Sequence, residues 1–238
     1  MVILFKVLKN ERVRNITSEY LVPKFLFFKN IFFQSMPISV SICGYALAAA
    51  IIFTYVGQSG EYAVAGYGVG TRIEQVVLLP ILGINTAIIS IIAQNYGANN
   101  LIRIKETYFT AIKYAFIIMI TAGTLVFLSA SVITSFFSSD PEVIEYGKRY
   151  LKISAFVLPA YPVFFLSNGF FMALKKSENA MISNFFRNIL NPISVFYIAK
   201  YINASFETFF WLWVGINWFF SISYFFIIIY YFKLKLNK

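Results

Sequence analysis

Along the chain, long apolar stretches alternate with short polar ones, at 31–56, 69–94, 108–137, 151–173, 181–201 and 208–232. A hydrocarbon layer of about 30 Å takes roughly 20 helical residues at about 1.5 Å rise each, so each stretch predicts a membrane-crossing helix. The connectors at 57–65 and 203–207 are short and return the chain antiparallel. Two other connectors carry structure of their own. In SSDPEVIEYGKRY (138–150), Asp140 is placed to cap a helix that begins at Pro141, with Glu142 and Glu145 near its positive end. This external helix leads into the fourth span. A straight helix from Asp140 to Ala173 would exceed the membrane thickness, so a bend is expected at Gly147 or at Pro159 and Pro162. With Pro80, these two prolines are the hinge candidates. QNYGANN (94–100) reads as a helix stop followed by a tight turn.

Composition places the chain in lipid. Of its 238 residues, 59% are hydrophobic and 13% charged, and mean hydropathy is +0.72. A soluble domain has no use for so much apolar surface. The net charge of +10 would point to nucleic acid in a soluble protein, but here the cations lie between the spans. Lys6, Lys9, Arg12, Arg14, Lys24, Lys29, Arg103, Lys105, Lys113, Lys175, Lys176, Arg187, Lys233, Lys235 and Lys238 fall on one side if six helices alternate. The other side holds Lys148, Arg149, Lys152 and Lys200 beside five carboxylates. The positive-inside rule then puts both termini in the cytoplasm, and nucleic acid is not expected as a partner. MVILFK at the start is no signal peptide, since Lys6 breaks its apolar run. The organisation read from this pattern is a basic cytoplasmic segment (1–30), a six-helix lobe (31–232) and a basic tail (233–238).

Histidine is absent and Cys43 is the one cysteine, so zinc, haem and disulfide chemistry lack their ligands and no metal site or cofactor is expected. No Ser-His-Asp set exists, and Glu74 is the one carboxylate well inside a span, which leaves no paired titratable groups and no catalytic residues. The chain is therefore not read as an enzyme. GYGVG (66–70) follows no strand and lacks the Lys-Ser/Thr ending of a phosphate loop.

The polar groups inside the spans carry the functional reading. An arginine and a glutamate occur in GYGVGTRIEQVVLLPILGINTAIISIIAQ (66–94), and ionisable groups at such depth mark an internal, wet or protein-lined face. Glu74 and Asn85 lie within roughly 20° on one helix face, while Arg72 lies about 200° round from Glu74, so each needs its own partner. Pro80 offers a kink, and Gly66, Gly68 and Gly70 allow close approach of another backbone. In SNFFRNILNP (183–192), Asn184, Asn188 and Asn191 recur at i, i+4 and i+7 with Arg187 beside them. Both sets are compatible with lining a pathway and with locking helices together by interhelical hydrogen bonds. Ser167 and Asn168 beside Gly169 are weaker candidates.

Several strings together resemble one family. AVAGYGVGTRIEQVVLLPILGINTAIISIIAQNYGA (63–98) resembles the second helix of the C-terminal half of MATE (multidrug and toxic compound extrusion) transporters, with SMP (35–37) in the helix before it. FFSSDPEVIEYGKRYLKI (136–153) resembles the family's external connector after its ninth helix. The resemblance implies an all-α fold of six helices forming one of two pseudo-twofold lobes around a cleft. It also implies a multi-pass protein of the cytoplasmic (inner) membrane that exports small organic, often cationic, compounds, driven by a proton or sodium gradient. The family has about twice this length, and VILFKVLKNERVR (2–14) looks like the tail of its sixth helix. The resemblance leaves three readings of that length open: a truncated or split gene, a fragment, or a half whose partner is a separately encoded N-terminal lobe. One MATE subgroup places coupling carboxylates in spans that correspond to 31–56 and 151–173, which contain no Asp or Glu here. Glu74 is left as the coupling candidate of this half. The alternatives are a non-transporting remnant or interaction partner, and a lipid-linked sugar flippase of related architecture.

Overall fold

The computed structural model describes residues 25–236; most of the basic segment expected at 1–30 and the last two residues of the tail lie outside them. The described chain is helical, without strands. Its helices are α1 (Phe25–Val56), α2 (Glu61–Gly97), α3 (Leu101–Ser135), α4 (Pro141–Ser154), α5 (Tyr161–Ala173), α6 (Ser177–Phe185), α7 (Asn191–Tyr201) and α8 (Phe206–Leu236). Two compact units divide within α1, residues 1–39 and 40–238, and the second holds everything described below.

α2 is the central element, packed against α3, α4 and α5, while α8 packs on α7, α5 and α4. Among the described residues, four helical segments are long and apolar enough to cross a membrane: Glu61–Gly97, Leu101–Ser135, Pro141–Ala173 and Phe206–Leu234. Their outward sides expose Leu128, Val132, Phe219 and Phe226, a surface that lipid solvates and water does not.

The chain ends its helices where its chemistry dictates. Asp140 caps α4 through its side chain, which accepts from the amides of Glu142 and Val143, with Pro141 in the first turn. Asn99 takes a positive φ of 55°, and Asn100 caps α3 by accepting from the amide of Arg103 at 3.1 Å. Pro80 lies inside α2, which continues through it.

The expected bend falls at 155–160, where α4 and α5 are separated by a turn and the 3-10 segment Leu158–Ala160, which holds Pro159. Pro162 opens α5. Gly147 has a different use. A Cβ on Gly66 would lie 2.7 Å from the amide nitrogen of Gly147 and 2.8 Å from the carbonyl of Val143, so α2 and α4 meet backbone to backbone. The break also exposes carbonyls that lipid cannot solvate. α8 supplies donors to two of them: the Trp218 indole N–H to Phe156 at 2.8 Å and the Ser221 hydroxyl to Ala160 at 3.1 Å.

The span expected at 181–201 is interrupted by a π turn, Phe186–Leu190, between α6 and α7. Pro192 has no N–H for the carbonyl four residues before it, at Asn188, and the amide of Asn191 reaches back five residues to Phe186. The extra residue shifts the helix phase, and Asn191 leaves the face of Asn184 and Asn188.

Candidate functional site

Glu74 projects from the middle of α2 toward the start of α5. Its carboxylate accepts a hydrogen bond from the Tyr161 hydroxyl at 2.6 Å and a second from the Tyr150 hydroxyl of α4. Both carboxylate oxygens are therefore held by phenols from two helices. Gly70, one turn before Glu74, makes the second bond possible, because a Cβ there would sit 2.2 Å from Cδ1 of Tyr150. The Tyr150 ring is packed edge-on by Tyr67, centroids 5.0 Å apart, and by Phe210 at 4.8 Å. These contacts fix the hydroxyl against the carboxylate.

Arg187, from the π turn, lies over the ring faces of Phe164 (4.2 Å), Tyr161 (4.9 Å) and Phe165 (5.4 Å). Tyr161 thus touches both charges: its hydroxyl donates to Glu74 and its ring lies under Arg187. No carboxylate among the described residues lies within ion-pair distance of Arg187; the ion pairs present are Glu145 with Lys148 and Arg149, and Arg149 with Glu207, all on α4 and the start of α8.

Glu74, Tyr150, Tyr161, Asn184, Arg187 and Asn188 line one cavity of about 540 Å³, completed by Tyr45 and Ile52 of α1, Thr71 and Gln75 of α2 and Trp213 of α8. A carboxylate and a guanidinium thus face a space large enough for a small organic molecule, whose sites typically measure about 300–1,000 Å³.

The remaining sequence candidates lie elsewhere. Arg72 is exposed on the other side of α2, as its angular offset from Glu74 requires. Asn85 points at α5, where a Cβ on Gly169 would meet its Oδ1 at 2.1 Å, and that oxygen has no hydrogen-bond partner among the described residues. Asn191 is fully buried, and neither side-chain polar atom has a partner among the described residues. Asn168 links helices: it donates to Asn184 at 3.2 Å and accepts from Tyr224 of α8 at 3.3 Å. Ser167 and Tyr108 share a buried hydrogen bond of 2.6 Å. Sequence reasoning missed Tyr150 and Tyr161. The spacing of Tyr150 from the glycines of α2 carries no sequence signal.

The MatE family model matches residues 37–197, more than half of the chain. The chain belongs to the MATE family. Among curated relatives, the multidrug export protein MepA of Staphylococcus haemolyticus is 25% identical over 73% of this MATE chain and 38% of its own length. The FAD transporter of Shewanella oneidensis is 24% identical over 66% of the chain and 35% of its own. The chain thus spans little more than a third of the length of these relatives. Among solved structures, a MATE protein in complex with MaL6 aligns with a TM-score of 0.86 at 20% identity, over 99% of this chain and 54% of that one. A MOP superfamily transporter from Pyrococcus furiosus aligns at 0.84 and 20% identity, over 99% and 53%. At that identity the structural likeness bears on the fold alone. In this MATE chain the helices that carry Glu74, Tyr150, Tyr161 and Arg187 all fall inside the matched residues.

Proposed function

We propose that this MATE chain forms the C-terminal six-helix lobe of a two-lobed, cation-coupled exporter of small organic compounds. It lies in the cytoplasmic membrane with both termini inside, and Glu74 is the coupling group of this lobe. The observation that carries the reading is the Glu74 carboxylate, held by two tyrosine hydroxyls in the wall of a 540 Å³ cavity. A phenol can donate to a carboxylate and can equally accept from a carboxylic acid. The site therefore keeps its hydrogen bonds in both protonation states, as a group that cycles through proton uptake and release requires. Sodium would be held differently, by oxygens alone, with both phenols turned to present lone pairs.

The decisive experiment is Glu74→Gln in a two-lobed version of the protein, with efflux measured in cells and in vesicles under an imposed proton or sodium gradient. Glutamine keeps the shape and cannot gain or lose a proton, so gradient-driven efflux should fall at least tenfold with protein abundance unchanged. Normal efflux would remove Glu74 from the coupling role.

A further inference from the structure

Arg187 faces a second cavity as well. A space of about 300 Å³ lies between α6, the π turn and α8, and it shares Phe164 and Arg187 with the larger one. Its walls are otherwise mainly apolar, with rings from Phe164, Phe171, Phe186, Phe220 and Tyr224, and Arg187 is the one charged residue lining it among the described residues. Ile182 on α6 and Ile227 on α8 are more than half exposed at its rim, so it opens between these two helices toward the apolar exterior.

A guanidinium in apolar surroundings is unfavourable without a counter-charge. The three aromatic faces under Arg187 offset part of that penalty. Glu74 acts on Arg187 only through space: no ion pair joins the two, and the Glu74 oxygens accept from Tyr150 and Tyr161, so no described carboxylate lies in direct contact with the guanidinium. The planar guanidinium keeps N–H donors in a fork that suits a carboxylate, sulfonate or phosphate.

We infer that the small cavity is a binding site for amphiphilic organic anions, with the anionic group on Arg187 and the apolar, preferably aromatic, portion among the rings between α6 and α8. The occupant is either a dissolved compound or an anionic lipid reached through the opening between those helices; the chemistry is the same. This goes beyond the export reading, because such binding needs neither a gradient nor a second lobe.

The test is fluorescence titration of the purified full chain in an uncharged detergent with 1-anilinonaphthalene-8-sulfonate, and with N-phenyl-1-naphthylamine as its uncharged analogue. The sulfonate should bind saturably and more tightly than the amine. Arg187→Gln should weaken the sulfonate at least tenfold and change the amine less than twofold, in line with the loss of a charge-assisted hydrogen bond. Arg187→Lys, which keeps the charge, should retain the preference for the anion. Ile227→Trp, which narrows the cavity from a rim position on α8, should weaken both probes and keeps the proposal testable if Arg187→Gln does not fold. In phosphatidylcholine nanodiscs, displacement of the sulfonate by added phosphatidylglycerol would identify lipid as the natural occupant. Persistence of the sulfonate would identify a dissolved anion. Equal affinity for the two probes, or sulfonate binding unchanged in Arg187→Gln, would overturn the inference.

Discussion

Replacing Gly66 by alanine tests whether the contact between α2 and α4 is as close as the structure has it. The added Cβ would lie 2.7 Å from the Gly147 nitrogen, 2.7 Å from Cβ of Tyr146 and 2.8 Å from the Val143 carbonyl, where ordinary contact begins at 3.4 Å. All three atoms are backbone or the first carbon of a side chain, so no rotamer change relieves the overlap. The helices must separate by several tenths of an ångström, and overpacking on that scale costs about 1–3 kcal/mol. Gly68, two residues along the same helix, is the internal control, since a Cβ there meets nothing within 4 Å. Its replacement by alanine should stabilise α2 by roughly 0.5–1 kcal/mol through helix propensity. The two substitutions have the same chemistry and should move stability in opposite directions, by about 1.5–4 kcal/mol in total. Thermal aggregation of detergent-solubilised protein, followed by size-exclusion chromatography, measures the difference. Equal stability of Gly66→Ala and Gly68→Ala would refute the backbone contact and with it the positioning of Tyr150.

Other outcomes follow from the same geometry. Gly70→Ala places a Cβ 2.2 Å from the Tyr150 ring, so it should reproduce the efflux defect of Tyr150→Phe in a two-lobed protein; the double variant should be no worse than the more impaired single, and additive losses would separate the two effects. Trp218→Phe leaves the Phe156 carbonyl without its 2.8 Å indole donor and should lower stability by about 1–3 kcal/mol in the same melting assay; an unchanged melting point would place another donor on that carbonyl. Asn191→Leu removes a fully buried amide without partners among the described residues and substitutes an apolar side chain of similar size, so it should be neutral or stabilising by about 1 kcal/mol; a clear drop in the same assay would mean that the amide has a partner in the folded protein.

Four of the six expected spans were legible as membrane-length apolar helices because lipid imposes a simple requirement of apolar length, and the cap at Asp140 because helix ends have few chemical solutions; the cap at Asn100, in a stretch read only as a helix stop and tight turn, came from the structure. The fifth span was read as a continuous amphipathic helix, and there the local chemistry of Pro192 overrode the i, i+4, i+7 pattern. The proline was visible in the sequence. Its consequence for Asn191, a phase shift that takes the residue off the face of Asn184 and Asn188, depended on how the freed carbonyl was accommodated.

The charged residues show a similar division between what spacing settles and what packing settles. Two positions about 200° apart on one helix cannot both face inward, so the pattern required either Arg72 or Glu74 to turn away. It did not say which. The choice is made by phenols 76 and 87 residues further along the chain, and by Gly70, whose missing Cβ admits one of them. The cation that enters the cavity is then Arg187, which is held by aromatic faces instead of a carboxylate. Against 28 Phe and 16 Tyr, no composition signal distinguishes the rings that hold it. Depth in an apolar segment identifies a residue that needs a partner, and the partner's side of the helix determines whether that residue can act on a ligand. For Glu74 and Arg187 the partners are aromatic, so each charge stays close to the other in one cavity without being cancelled by it.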